Sequence, residues 1–206
     1  NAVWREWAKT ELAAHFRVHL IELPGFGRSD SLPLTDATTD AELAQAWTQA
    51  MLQALPEKTH LLGWSLGGLL AQQIAQQAPE RIDHLILLAS TPRFTQTDQW
   101  SGAVSPKLMA DFMASVSADS LATLKSFWTL QMQGSELPRQ QLRQFVRQMQ
   151  DYQLPTLTGL TQGLRLLKYF DFRQQPPVAP TLWLLGEKDP LIPEELIRQF
   201  STIQPE

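Results

Sequence analysis

Short apolar runs alternate with helical apolar spacing over most of this chain of 206 residues. Val18 to Leu23 is apolar-rich, ends in Pro24-Gly25 and reads as a buried strand. Between residues 40 and 54, Leu43, Ala44, Trp47 and Met51 recur at helical spacing, with Leu55 next in the stripe. Thr59 to Trp64 predicts a second strand, His84 to Ala89 a third, and Thr181 to Leu185 a fourth ending at Gly186. Leu69, Leu70, Ala71, Ile74 and Ala75 form a helical face that stops at Ala78-Pro79, and His15 closes an opening helix. Strands alternating with helices imply an α/β fold, a mostly parallel sheet with helices on both faces. From Phe94 to Lys168 the pattern turns to helix after helix. The expected organisation is a core formed by 1–93 and 169–206, with a helical lid, 94–168, over the strand ends where such sheets bind ligands.

The second predicted strand runs into Gly63-Trp64-Ser65-Leu66-Gly67, with Gly68 behind it. Strand, sharp turn with serine, then helix is the context that makes G-x-S-x-G a nucleophile elbow, with the Ser65 hydroxyl held above the sheet edge. Small residues are expected at 63 and 67 because neighbouring segments pack too close for a Cβ. A serine hydroxyl needs an adjacent base at neutral pH. In this arrangement an acid and then a histidine follow the serine along the chain. Asp189, in Gly186-Glu187-Lys188-Asp189-Pro190 beyond the last strand, fits the acid that would orient the histidine. Glu187 is its rival, and an Asp-Pro turn without chemistry is the plainer reading.

No histidine follows Asp189; His15, His19, His60 and His84 all precede it and read as strand or surface residues. One oxyanion donor would be the Leu66 N–H, while the loop that supplies the second would precede Asn1. The chain therefore reads as a hydrolase fragment cut at both ends, catalytically crippled as it stands. A sheet without its first strands would also expose an unpaired edge and lower solubility.

Composition narrows the remaining classes. With 43% hydrophobic and 18% charged residues the chain is globular rather than disordered. Its net charge of −4 argues against a general nucleic-acid binder. The absence of cysteine removes disulfides and thiolate metal sites, and no metal site is assigned. No apolar segment approaches bilayer-spanning length and no signal peptide is visible, so a soluble cytoplasmic monomer is the expectation.

Leu23-Pro24-Gly25-Phe26-Gly27-Arg28-Ser29, the elbow, and Gly186 to Pro193, in that order, resemble the α/β-hydrolase superfamily. Phe127-Trp128-Thr129-Leu130-Gln131-Met132-Gln133-Gly134, with Gly159-Leu160 to Asp171-Phe172-Arg173, is similar to the pimeloyl-acyl-carrier-protein methyl ester esterases of biotin synthesis. The resemblance implies an α/β-hydrolase fold with Ser65 as nucleophile, Asp189 as triad acid and Leu66 as oxyanion donor. It implies that Phe127, Trp128, Thr129, Leu130 and Gln131 line an acyl pocket together with Ser65 and Leu66, although the residues alone favour lid core for Phe127 and Trp128. Trp64 is either pocket wall or packing. The implied reaction is serine carboxylester hydrolysis, which needs no metal or organic cofactor. Dehalogenases and epoxide hydrolases of similar pattern place an aspartate where Ser65 stands.

Arg139, Arg143 and Arg147 are four apart and would form one ridge on a helix. Leu142, Phe145, Val146 and Met149 give that helix a buried stripe, Pro138 suits its first turn and Ser135 is a candidate N-cap. In an acidic protein this ridge is either a solvated face or a dock for an acidic acyl carrier protein. Two other readings stay open: a small-molecule esterase, lactonase or carbon–carbon hydrolase, and a non-catalytic binding protein on the same fold.

Overall fold

The computed structural model describes residues 2–35, 37–133, 135–150 and 152–203. Gly134 of the lid motif and the last three positions, 204–206, lie outside them. Strands β1 (Thr59–Trp64), β2 (Ile82–Leu88) and β3 (Thr181–Leu184) form a parallel sheet in the order β1-β2-β3. The register pairs Trp64 with Leu88 and Leu88 with Leu184, so alternation assigns His60, Leu62, Trp64, Ile86, Leu88, Leu182 and Leu184 to one face. Leu61, Gly63, Leu85, Leu87 and Trp183 take the other.

Helices cover both faces. Helix α3 (Leu66–Gln77) packs against the second face at Gly63, and the Phe200 ring of α8 (Glu194–Ile203) stands 4.4 Å from Trp183 there. On the first face, Trp4 of α1 (Ala2–Trp7) meets Trp64 edge-on at 6.2 Å and Phe16 meets His60 at 6.0 Å. The helical path after α1 continues as a π-helix, Ala8–Leu12, so His15 falls in a turn rather than closing a helix. Farther along this face Leu182 and Leu184 remain 54% and 42% exposed.

The strand expected over Val18 to Leu23 does not form. A strand exists only as part of a ladder, and none of the described ladders or bridges includes this segment. Ile21 and Leu23 instead pack sideways on the core, and the Glu22 carboxylate accepts the Arg28 N–H at 2.7 Å. β2 starts at Ile82, before the predicted His84, and β3 ends at Leu184.

Helix α2 (Asp40–Ala54) begins in a capping box: the Thr39 N–H donates to Glu42 Oε2 at 2.8 Å and the Glu42 N–H to Thr39 Oγ1 at 3.3 Å. The Thr39 N–H first, and then the Thr39 hydroxyl donating to Glu42 Oε2 at 2.7 Å, hold the Glu42 carboxyl below its usual range. Between β2 and β3 stand α4 (Pro106–Ala118), α5 (Ser120–Gln131), α6 (Pro138–Gln150) and α7 (Leu157–Tyr169). Ser105, Asp119 and Thr156 cap α4, α5 and α7. Ser135 does not cap α6; its hydroxyl donates to the Met132 carbonyl, and the Leu137 carbonyl takes the first N–H groups, from Gln140 and Gln141.

The main core gathers Leu43, Trp47, Leu69, Ile74, Leu85, Leu87, Leu166 and Phe170. A smaller one under α4–α7 holds Val116, Leu124, Trp128 and Leu160, and Phe26 packs against both. The insertion is tied down at its two ends and along α7. At the two ends of the insertion, Asp171 binds Arg93 at 2.8 Å and grips Arg173 through both carboxylate oxygens, each at 2.8 Å. The Phe172 N–H reaches the Pro92 carbonyl beside this clamp at 2.9 Å. The bonds from Arg173 come first in drawing the Asp171 carboxyl down from 3.8 to about 2, and Asp171 raises Arg173 in return. Arg165 of α7 binds Asp40 at 2.8 Å, and Gln162 accepts the buried Trp47 Nε1–H at 3.1 Å. Near the start of α7, Gly25 (φ +77°) lies so close to Gly159 that a Cβ on Gly25 would stand 2.6 Å from the Gly159 Cα. The Thr156 N–H bonds the Gly25 carbonyl at 2.8 Å there.

Candidate active site

Ser65 joins β1 to α3 with φ 53° and ψ −120°, a conformation that a residue with a side chain adopts only under constraint. The constraint comes from the backbone. The Ser65 N–H donates to Leu88 O at 3.0 Å, and its carbonyl accepts the N–H of Gly68 at 2.8 Å and of Leu69 at 3.2 Å. The buried Ser90 hydroxyl donates to the same carbonyl at 3.0 Å. Ala89, just before it, also has a positive φ of 43°, so the end of β2 bends around the turn it braces. A Cβ on Gly63 would strike the Gly67 backbone and one on Gly68 would strike the Ser90 side chain. A Cβ on Gly67 meets nothing within 4 Å. The expected steric demand holds at 63 and fails at 67, because position 67 faces open space.

Ser65 lines a cavity of about 440 Å³ whose wall also carries Asp189, Trp64, Gln131, Phe145 and Val3. Asp189 is held by its own loop: its N–H donates to Gly186 O at 3.1 Å, and its Oδ1 accepts the Leu191 N–H at 2.8 Å. Glu187, the rival acid, is exposed and off this wall. Leu66 is the first residue of α3, and its N–H, at the partial positive end of that helix, bonds to no described residue.

The histidines stand elsewhere. His60 and His84 are neighbours across β1 and β2, with Nδ1 atoms 3.1 Å apart. They lie at the strand starts, about 16 Å from the Ser65 end at roughly 3.3 Å per residue. His15 and His19 are exposed, and no histidine lines the cavity.

Of the five lid residues expected around an acyl chain, Gln131 reaches the wall. Trp128 is buried in the small lid core with its ring 5.4 Å from Phe145, and Phe127 pairs with Phe112 at 5.5 Å. Thr129 is exposed and donates to Lys125 O, and Leu130 is half-buried off the wall. Sequence reasoning missed Val3, Lys188 and the wall role of Phe145, which it read as lid stripe. Their segments meet the elbow only through tertiary packing, so no local signal marks them. Trp64 serves both its readings, lining the cavity and packing on Trp4.

On α6, Arg139, Arg143 and Arg147 are all exposed and pair with no described carboxylate, while Leu142, Phe145, Val146 and Met149 pack on the small core. Beyond the end of this helix, Arg5 of α1 stands 5.3 Å over the Tyr152 ring.

Residues 2–206 match the family described as alpha/beta hydrolase fold. Among solved structures, an esterase from Exiguobacterium antarcticum is similar with TM-score 0.70 and 23% identity, over 89% of this chain and 68% of that one. A thermophilic esterase from Thermogutta terrifontis gives 0.71 and 21% over 99% and 73%. The enol-lactonase from Burkholderia xenovorans gives 0.65 and 15% over 88% and 66%. Identities this low speak for the fold.

Proposed function

The chain belongs to the alpha/beta hydrolase fold family, and on that premise we propose that it is a serine hydrolase of carboxylic esters. The observation that carries this is the strained Ser65 opening onto the same cavity as Asp189. Ser65 Oγ attacks the ester carbonyl carbon and gives its proton to a general base. The carbonyl oxygen gains negative charge against the Leu66 N–H. The carbon–alkoxy bond then breaks, the alcohol leaves with the proton, and water opens the acyl-enzyme to free acid and restored serine. Asp189 orients the base, a histidine by resemblance; none of the chain's own histidines lines the cavity.

For the substrate, the resemblance to pimeloyl-acyl-carrier-protein methyl ester esterases favours a methyl ester on a carrier-bound acyl chain, within biotin synthesis. The exposed Arg139, Arg143 and Arg147 support an acidic carrier as partner. The test uses a fluorophosphonate probe and methyl ester hydrolysis, both with imidazole as external base, on carrier-bound and free esters at low and high salt. Labelling of Ser65 with a salt-sensitive preference for the carrier-bound ester supports the whole reading. Equal rates leave a small-molecule esterase or lactonase. No labelling and no turnover favour a binding protein on this fold.

A further inference from the structure

We propose a metal site on the sheet itself: His60 and His84 chelate one divalent ion of the late first-row transition series, at the strand starts remote from Ser65. The two side chains face each other across β1 and β2 as register partners, with Nδ1 atoms 3.1 Å apart. Both are exposed, so an ion enters from solvent. Neither lines the Ser65 cavity, and the site stands whether or not the ester-hydrolase reading does.

A break in the ladder builds this pairing. Thr59 pairs with Ile82 but His60 pairs with His84, so Asp83 is an extra residue on β2 and the strand is bulged there. Without the bulge His60 would oppose Asp83, and His84 would turn to the other face of the sheet. Bulges are rare between parallel strands, and they serve to re-aim a side chain. Here the bulge brings both imidazoles onto the first face, where the Phe16 ring stands edge-on to His60 at 6.0 Å. The adjoining acid, Asp83, is paired with Lys58 at 3.0 Å.

Distance and donor type select the ion. With metal–nitrogen bonds of about 2.0–2.1 Å, a 3.1 Å gap closes an angle of about 95–102° at the metal. That lies between the right angle of a tetragonal site and the wider tetrahedral one. The ring centroids are 5.0 Å apart, closer than end-to-end rings across this gap would stand, so the rings meet at an angle as two ligands of one ion do. Without metal, one neutral ring donates its Nδ1 proton to the other. On binding, that proton moves through water to Nε2 of the same ring, and both Nδ1 lone pairs take the ion with no net proton lost. Among the described residues no group of three or more His, Cys, Asp or Glu is gathered, so water completes the coordination. Imidazole suits nickel, copper and zinc, whereas magnesium and calcium take oxygen ligands. Because the ligands come from two strands, the ion ties β1 to β2 and its binding is felt as sheet stability.

Calorimetric titration of the untagged chain with nickel chloride at about pH 8, where protons compete little for imidazole, tests this. The expected result is one ion per chain. His60→Asn and His84→Asn should each weaken binding at least about tenfold, because the chelate is lost. Both positions are exposed, so without metal each variant should melt within about 2 °C of the parent. At ten times the half-saturating nickel concentration the parent should melt about 3–6 °C higher, and magnesium should give no rise. Ser65→Ala and the double variant His15→Asn/His19→Asn should bind as the parent does. No binding, full affinity surviving in either His60→Asn or His84→Asn, an equal rise with magnesium, or loss of binding in the His15→Asn/His19→Asn variant overturns the proposal.

Discussion

Replacing Asp171 by asparagine removes the carboxylate that joins both ends of the lid insertion. The parent side chain accepts from Arg93 and twice from the Arg173 guanidinium, each at 2.8 Å. Its pKa falls from 3.8 to about 2, led by the Arg173 bonds and opposed by burial. At about 1.36 kcal/mol per tenfold change in proton affinity, that sets a ceiling of about 2.4 kcal/mol. The Asp171 side chain is 31% exposed, so solvent screening reduces the net value to about 1–2 kcal/mol. Because the folded-state value is depressed, this stabilisation is complete above the unfolded value of 3.8 and lost as pH falls through about 2. The assay is thermal melting of parent and Asp171→Asn from pH 7 down to pH 2. The variant should melt about 2–8 °C lower at pH 7, with the gap closing below pH 3.8. Limited trypsin digestion should cut the variant faster within 94–168. A gap that stays constant across that range, or melting of the variant within about 1 °C of the parent at pH 7, would refute the clamp.

Gly63→Ala should destabilise strongly, since the new methyl meets backbone, whereas Gly67→Ala should stabilise by about 0.5–1 kcal/mol through helix propensity; denaturant melts of the two variants decide it. Reversing Arg139, Arg143 and Arg147 to glutamate should raise KM for a carrier-bound ester about 10–100-fold at low salt and leave free esters unchanged, read from initial rates at two salt concentrations. Trp128→Ala should cost the lid core about 3–5 kcal/mol, and hydrogen exchange should locate the loss in α4–α7 while β1 and β2 stay protected.

The elbow was readable because its signals are local: an apolar run, glycines at fixed offsets and a helical stripe after the serine. The span of α2 and the all-helical character of the insertion were readable for the same reason. Val18 to Leu23 was misleading because a strand is defined by its neighbour, which a single segment does not specify. Phe127 and Trp128 show a second limit. Spacing tells that a face is apolar, but the rotation of α5 decides whether that face meets a cavity or, as here, another lid helix. The Asp171 clamp lay in the sequence as Asp171-Phe172-Arg173, read only as part of a family resemblance, and a distant Arg93; only closure of the insertion brings the three together.

The Gly25–Gly159 contact changes what kind of cover stands over Ser65. Two backbones that touch without side chains between them leave no slack, and this pin stands at the opposite end of α7 from the Arg93–Asp171–Arg173 clamp. Held at its start by Gly25 and just past its end by Arg93, α7 is a beam rather than a hinged flap, so a change at either post should be felt along the whole helix.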